Sequence, residues 1–159
     1  MVTAFNEQSF SRRFATMGDT CEAVFDLVYP KNHKLGLNRP PFFMGGMEPA
    51  MRYTPDRMLR DRFVECMGIG RDRKLKIKTD KIEALWKWAA LGRMDLFIFD
   101  QHKNTYYEAE LQDWATVLGT SGIARNFDND GKAYIELHAR DFPTLPQPVP
   151  EPEAADDES

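Results

Sequence analysis

Cysteine and histidine are scarce in this sequence, which limits the metal and redox chemistry that it can support. The 159 residues include two cysteines and three histidines. Cys21 and Cys66 match no zinc-ligand spacing and are too few for a disulfide framework, so free and buried thiols are expected. The histidines share no common spacing, which disfavours a histidine-based metal or catalytic site.

Long apolar runs are also missing. No segment approaches the roughly 18 consecutive apolar residues of a membrane-spanning helix, and residues 1–14 lack the apolar core of a signal peptide. These features predict a cytoplasmic protein with no membrane partner. The chain is nevertheless 42% hydrophobic, which is enough to bury one core, and its length favours a single domain over residues 1–142.

The C-terminal segment differs in composition from the rest of the chain. From Pro143 onward it holds five of the ten prolines, and its last nine residues, EPEAADDES, contain five acids and no base. This composition predicts a disordered tail over residues 143–159. The tail could contact another protein, or it could serve only to keep the chain soluble.

Apolar spacing predicts a helix over residues 9–29. The residues expected on its buried face are Phe14, Met17, Cys21, Val24 and Leu27. Residues 30–50 are rich in proline, glycine and asparagine and should be loop with room for one short strand. Residues 51–59 and 62–68 then predict the two strands of a hairpin with a short polar connection.

The second half of the chain predicts alternating helices and strands. Residues 79–92 should form a helix with Thr79 as its N-cap. Residues 94–100, MDLFIFD, fit a strand that is buried on both faces, and residues 106–119 indicate another helix. Residues 122–139 should form two strands around an Asp-Asn-Asp-Gly turn. The residues expected on the buried face of the helix at 79–92 are Ile82, Leu85, Trp86 and Ala89.

This order of elements predicts an α/β fold in which helices flank a mixed central sheet. The hairpin places Asp56 and Glu65 on neighbouring strands, about 5 Å apart between Cα atoms. Two carboxylates that converge beside solvent suit a hard divalent cation, and magnesium is the usual choice because it keeps several waters. Such an ion could activate water next to a phosphorus centre.

A cationic segment follows the hairpin. It carries a net positive charge that could neutralise several phosphates of a nucleic acid, or it could be a solvated face with acidic partners at helical spacing. We expect it to contact nucleic acid. The candidate contacts are Arg71, Arg73, Lys74, Lys76, Lys78 and Lys81.

The stretch RYTPDRMLRDRFVECMG, residues 52–68, resembles the core of the PD-(D/E)XK nuclease superfamily, in which Pro-Asp on one strand precedes Glu-x-Lys on the next. MGDTCEAVF is similar to the family's first helix, and the resemblance covers residues 10–100. It implies magnesium-dependent hydrolysis of DNA, with manganese as a substitute ion. It also implies that Asp56, Glu65 and the Cys66 carbonyl are metal ligands and that Glu22 holds metal-bound water.

The sequence departs from the family at Met67, which stands where the family has its lysine. A thioether cannot stabilise the negative charge that builds on a phosphate under attack. Either another lysine supplies the cation, with Lys74, Lys76, Lys78 and Lys81 as candidates, or the site binds without cutting. We expect relocation. The other reading is a catalytically inactive nuclease-like module that binds nucleic acid or a partner protein.

A rival placement of the same motif lies further along the chain. Asp95 on the strand at 94–100, followed by Glu108 and Glu110, resembles the Glu-x-Glu variant. We prefer Asp56 and Glu65 because the Thr-Pro-Asp and Met-Gly flanks are present there and because YYEAELQDW favours helix.

The expected partner is therefore DNA. No separate DNA-reading segment is evident, so the substrate is expected to be recognised by structure more than by sequence. Family members that act on branched DNA commonly work as dimers, so the resemblance also allows for a homodimer.

Overall fold

A computed structural model describes residues 19–36, 48–129 and 131–152 of the chain. The predictions for Phe14, Met17 and residues 153–159 lie outside these ranges. The elements in chain order are helix α1 (19–28), β1 (His33–Lys34), α2 (Pro49–Arg52), β2 (Arg57–Met58), β3 (Phe63–Ile69), β4 (Lys74–Lys78), α3 (Thr79–Ala89), β5 (Met94–Asp100), β6 (Thr105–Glu110), α4 (Leu111–Ser121), β7 (Ile123–Asn126), β8 (Ala133–His138), a short 3₁₀ helix (Ala139–Asp141) and β9 (Gln147–Pro148).

Two sheets form the framework. The larger has the strand order β1-β2-β3-β5-β6-β9, and the smaller has the order β4-β8-β7. Strands β3 and β5 run parallel, and the other pairs of neighbours are antiparallel. This mixed sheet flanked by helices confirms the predicted fold class.

The larger sheet is covered on both faces. Helix α1 packs on one face through a cluster that includes Phe25 and Phe97. The other face is covered by α3, α4 and the smaller sheet, which share a cluster containing Leu85, Trp114 and Leu137. Strand β5 lies in the middle, and all seven of its residues are buried, as the apolar run MDLFIFD predicts.

The helices at 19–28 and 79–89 agree with the sequence in position but differ in their faces. Leu27, predicted to be buried, is 38% exposed, whereas Phe25 is fully buried. Trp86 is 42% exposed, whereas Trp88 packs edge-on against Phe63. Thr79 is not the N-cap, because Lys78 occupies that position without a side-chain cap.

The predicted helix at 106–119 is wrong over its first third. Residues 105–110 form β6, and the helix begins only at Leu111. Tyr107 packs into the core on one side of the sheet, and Tyr106 stacks on Phe97 on the other side. Because both faces of β6 are covered, both tyrosines find apolar surroundings, which hides the alternation that normally predicts a strand.

The predicted hairpin is confirmed, but its first strand is much shorter. Residues 49–52 form a helical turn, and β2 contains only Arg57 and Met58, which pair with Val64 and Phe63 of β3. Asp56 therefore precedes β2. The early part of the predicted tail also differs, because β9 within it pairs with Thr105 and Tyr106 of β6.

Both cysteines are free and buried, as predicted. The thiol of Cys21 on α1 donates to the Met67 carbonyl of β3 at 3.0 Å. This bond ties the helix to the strand next to Glu22 and Glu65. Across the described ranges, no helix combines the length and the apolar character needed to cross a bilayer.

Two glycines of the α4 region give a matched test of packing. A Cβ on Gly122 would lie 2.3 Å from the Leu118 carbonyl oxygen and 2.5 Å from Ile135, whereas a Cβ on Gly119 meets nothing within 4 Å. We expect Gly122→Ala to lower the free energy of unfolding by about 2 kcal/mol. Gly119→Ala should raise it by about 0.5 kcal/mol through helix propensity. Urea unfolding of both variants checks this; equal effects would contradict it.

Candidate active site

Asp56 and Glu65 meet at the open end of the β2–β3 hairpin. The register that pairs Arg57 with Val64 brings Asp56 opposite Glu65 when it is extended by one residue. The Asp56 carboxylate accepts a hydrogen bond from the Cys66 amide at 2.9 Å. The structure therefore brings together the two carboxylates that the sequence singles out.

The two carboxyl groups are electrostatically unfavourable neighbours. Glu65 is only 4% exposed. Burial and the charge of Asp56 raise the pKa of Glu65, and the charge of Lys81 opposes this shift. Asp56 and Glu65 are close enough for a shared proton to hydrogen-bond them. Within the described ranges, Glu65 Oε2 has no hydrogen-bond partner. A proton or a cation between these groups would relieve the repulsion.

Lys81 supplies the nearest positive charge. Its Nζ lies 3.4 Å from Glu65 Oε1, and the same group stands 5.8 Å from the centre of the Tyr53 ring. Burial lowers the pKa of Lys81, but the charges of Glu65 and Asp56 raise it and prevail. These charges favour the protonated form of Lys81, which lies in the first turn of α3 beside the carboxylate pair.

Glu22 stands next to this pair but is held by an arginine. Its Oε1 lies 3.3 Å from Arg57 Nε. Burial and the charge of Asp56 raise the pKa of Glu22, and Arg57 opposes the shift. The helix glutamate is thus within the electrostatic reach of Asp56, with Arg57 as its direct partner. The sequence gives no sign of this arginine's role, because Arg57 is one of several arginines in the hairpin.

The residues present fit a metal ion that keeps most of its waters. No group of three or more histidine, cysteine, aspartate or glutamate side chains converges as a metal cage anywhere in the residues that the structure describes. Two carboxylates plus a backbone carbonyl are nevertheless a donor set that magnesium accepts. The unpartnered oxygen of Glu65 is the observation that favours a cation there.

The structure disperses the other predicted cations. Arg71 is exposed in the turn before β4. Arg73 points into the protein, where its Nε lies 3.0 Å from the fully buried Asp100. Lys74 pairs with Glu136 at 3.1 Å, and Lys76 pairs with Asp72 at 3.8 Å. Neither lysine pairs with the Asp56 and Glu65 carboxylates as Lys81 does.

A basic cleft opens beside the carboxylate pair. It has a volume of about 890 Å³, and Met67 and Lys81 at one end connect it to the Glu65 site. The β7–β8 hairpin forms its far wall. The residues that line this basic cleft are Tyr53, Met67, Lys76, Lys78, Lys81, Ala124, Arg125, Asn126, Phe127, Asp128 and Tyr134.

The rival cluster lies on the opposite face of the larger sheet. The sequence favours a helix at Glu108 and Glu110, but both residues lie on strand β6 beside Asp95. That argument against the rival cluster therefore does not hold. Asp95 is nevertheless paired with Arg62 at 3.1 Å and with Arg93 at 2.9 Å. Arg62 also binds Glu108 at 3.0 Å, and Arg93 lies 3.4 Å from Glu110. Two arginines thus already occupy the space between these carboxylates.

Comparison with known proteins gives one structural likeness. A search of solved structures finds Archaeoglobus fulgidus Hjc, a Holliday junction resolvase from an archaeal hyperthermophile, at 12% sequence identity and a TM-score of 0.43. The likeness covers 80% of this chain and 94% of that one. No protein-family model and no curated protein matches the chain. At this identity and TM-score, the likeness assigns no activity and no residue role to this chain.

Arg73 is expected to matter for stability and not for nucleic-acid contact. It adopts a φ of 54°. Its guanidinium group forms an ion pair with the buried carboxylate of Asp100. Arg73→Ala should lower the free energy of unfolding by about 2 kcal/mol, because a buried carboxylate oxygen loses its donor. Arg71→Ala is the matched exposed control and should leave stability unchanged. Denaturant titration measures both, and a stable Arg73→Ala protein would refute this assignment.

The rival cluster predicts a specific dependence of stability on pH. Burial, reinforced by a hydrogen bond with Asp95, raises the pKa of Glu108 from 4.5 to about 7. The folded chain therefore holds a proton that the unfolded chain releases, so the free energy of unfolding falls as the pH rises from about 4.5 to 7. Each pKa unit corresponds to about 1.4 kcal/mol, which limits the total fall to about 3 kcal/mol.

Glu108→Gln cannot titrate and should flatten this part of the pH profile. Glu110→Gln is the control, since its side chain is half exposed on the same strand. Chemical unfolding at a series of pH values measures the slopes. Parallel profiles for wild type and Glu108→Gln would show that this carboxyl group does not titrate in that window.

Proposed function

We propose that this protein is a magnesium-dependent DNA endonuclease whose active site contains Asp56, Glu65 and Lys81. The observation that carries the proposal is the pair of facing carboxylates with an unpartnered Glu65 oxygen and a lysine at 3.4 Å, at one end of a basic cleft. Asp56 and Glu65 would hold the metal ion, and manganese could replace magnesium. When bound, the ion supplies water activation and stabilises negative charge on the phosphate.

The backbone at Cys66 supports the same ligand set. Its amide donates to Asp56, and the N–H and C=O of a strand residue point toward the same neighbouring strand. The Cys66 carbonyl is therefore directed to the side on which Asp56 lies. Glu22 would contribute through the waters of the ion, with Arg57 holding its carboxylate in place.

Lys81 takes the role that the missing motif lysine would have. Its raised pKa favours the protonated form, and its ion pair with Glu65 holds the ammonium group beside the carboxylates. A fixed cation there would stabilise the charge that develops on the phosphate during attack. Lys74 and Lys76, the first candidates from the sequence, pair elsewhere with Glu136 and Asp72, so the proposal moves this role to α3.

The lysines of the basic cleft would bind the phosphates of DNA on either side of the scissile bond. Such contacts weaken as salt is raised, because binding releases counterions from the nucleic acid. The absence of a lysine at Met67 favours one second candidate, a module of the same fold that binds DNA without cutting it. Homodimer formation stays a prediction from the resemblance, which size-exclusion chromatography with light scattering would test.

Cleavage of DNA by single-site variants tests the proposed function. Wild type is expected to cut linear, single-stranded or four-way-junction DNA in magnesium or manganese. Asp56→Asn, Glu65→Gln and Lys81→Ala should each reduce the rate by at least about 100-fold, as loss of a group that stabilises transition-state charge usually does. Lys87→Ala, an exposed lysine of the same helix, should cut like wild type.

The outcomes separate the candidates. The folded fraction of Asp95→Asn is expected to cut DNA at the wild-type rate. If Asp95→Asn is folded but inactive while Asp56→Asn is active, the active site lies at the rival cluster. Magnesium should also raise the melting temperature of wild type but not of Asp56→Asn. Salt-sensitive DNA binding with no cleavage in either metal would identify the protein as a binding module.

A further inference from the structure

The basic cleft has a second chemical character besides charge. Three aromatic side chains line it, Tyr53, Phe127 and Tyr134, and all three are only partly buried. Phe127 and Tyr134 stack with their centroids 4.1 Å apart and their planes at 27°. Tyr53 comes from a different part of the chain, after α2. Aromatic faces therefore line the cleft from two separate elements.

The cations of the cleft lie among these rings. Lys78 Nζ stands 5.8 Å from the centre of the Phe127 ring, and Lys81 Nζ stands at the same distance from Tyr53. The lining holds four cationic residues, Lys76, Lys78, Lys81 and Arg125, against one carboxylate, Asp128. A strand with both phosphates and exposed bases would find partners for each of them along this surface.

The smaller sheet creates this combination by its register. In the strand register, Lys76 of β4 lies opposite Glu136 of β8, and Lys78 lies opposite Tyr134. Tyr134 in turn lies opposite Arg125 of β7. Cross-strand partners share a face, so these side chains project together, away from the core that Leu75 and Ile77 enter. One face of a three-stranded sheet thus presents both a ring and cations.

We propose that the basic cleft binds a single-stranded segment of DNA, with unpaired bases stacked on Tyr53 and on the Phe127–Tyr134 pair. This inference rests on the proposed nuclease function and narrows its substrate to DNA that contains unpaired nucleotides. The faces of bases inside a duplex are covered by their neighbours, so an unpaired base stacks on a side chain without the cost of opening the duplex. Lys76, Lys78 and Arg125 bind the phosphates of the DNA strand, and Lys81 binds the phosphate next to the carboxylate pair.

Binding without metal tests this inference separately from catalysis. The probe is a fluorescein-labelled oligothymidylate of about 12 nucleotides, within the site sizes of single-strand binding folds, and the readout is fluorescence anisotropy in EDTA. The comparison probes are a duplex of the same length and an abasic strand with the same phosphates. The full chain should bind the oligothymidylate at least about tenfold more tightly than either comparison probe, because stacking adds to the electrostatic contacts.

The variants distinguish stacking from folding. Tyr53→Ala and Phe127→Ala should each weaken oligothymidylate binding about tenfold and leave abasic-strand binding unchanged, whereas Tyr53→Phe should bind like wild type. Trp86→Ala is the matched control, since Trp86 is exposed on α3 outside the basic cleft. If Phe127→Ala lowers the melting temperature, Tyr53→Ala on the opposite wall still tests the proposal.

Failure of this inference is distinguishable from failure of the proposed function. Equal affinity for the abasic strand and for the oligothymidylate would overturn base stacking. Metal-dependent cleavage abolished by Asp56→Asn would still support the nuclease in that case. A duplex bound as tightly as the single strand would also overturn the inference. If no probe binds and no DNA is cut, both proposals fall.

Discussion

The repulsion between Asp56 and Glu65 is the constraint on which the rest of the site depends. Two carboxylates that face each other at the end of the β2–β3 hairpin, one of them almost fully buried, repel each other strongly when both are ionised. The fold holds them in place by independent means: the Cys66 amide binds Asp56, and Lys81 binds Glu65. One Glu65 oxygen still faces no partner among the described residues. A site held this way is stabilised further by any cation that reaches it.

The two acidic clusters of the larger sheet show how similar residues can serve different ends. On one face, Arg62 and Arg93 satisfy Asp95, Glu108 and Glu110, and the Tyr29 hydroxyl adds a short hydrogen bond to Glu108. Arginine forks fill the space in which an ion would sit, so this cluster is a structural ion-pair network. On the other face, a single lysine reaches two carboxylates. The two clusters therefore differ in the number of cations that pair with their acids: two arginines in the first cluster and one lysine in the second.

The sequence predicts the hairpin, the buried strand β5 and the convergence of Asp56 with Glu65, because turn chemistry and a continuous apolar run are local signals. It fails at β6, where the consecutive residues Tyr106 and Tyr107 pack on opposite faces of the sheet, and at Trp86, which is exposed while Trp88 packs against Phe63. The sequence also could not show which of the four lysines pairs with Glu65, since that depends on how α3 lies against β3. The ion pairs of Arg62 with Asp95 and of Arg73 with Asp100 could not be predicted for the same reason, because these acidic partners are more than 25 residues away in sequence.

In the proposed function, the position of β4, β7 and β8 separates the DNA-binding surface from the carboxylates that would perform the chemistry. The carboxylates belong to the hairpin of the larger sheet, whereas most of the basic cleft belongs to the smaller sheet, whose core-facing residues are shared with α3 and α4. Lys81 lies three residues after the end of β4 and, among the cations that line the cleft, is the one that pairs with Glu65. If the proposed function is correct, changes to the outward face of the smaller sheet would alter DNA binding without moving Asp56 or Glu65, whereas a change at Lys81 would affect both binding and cleavage.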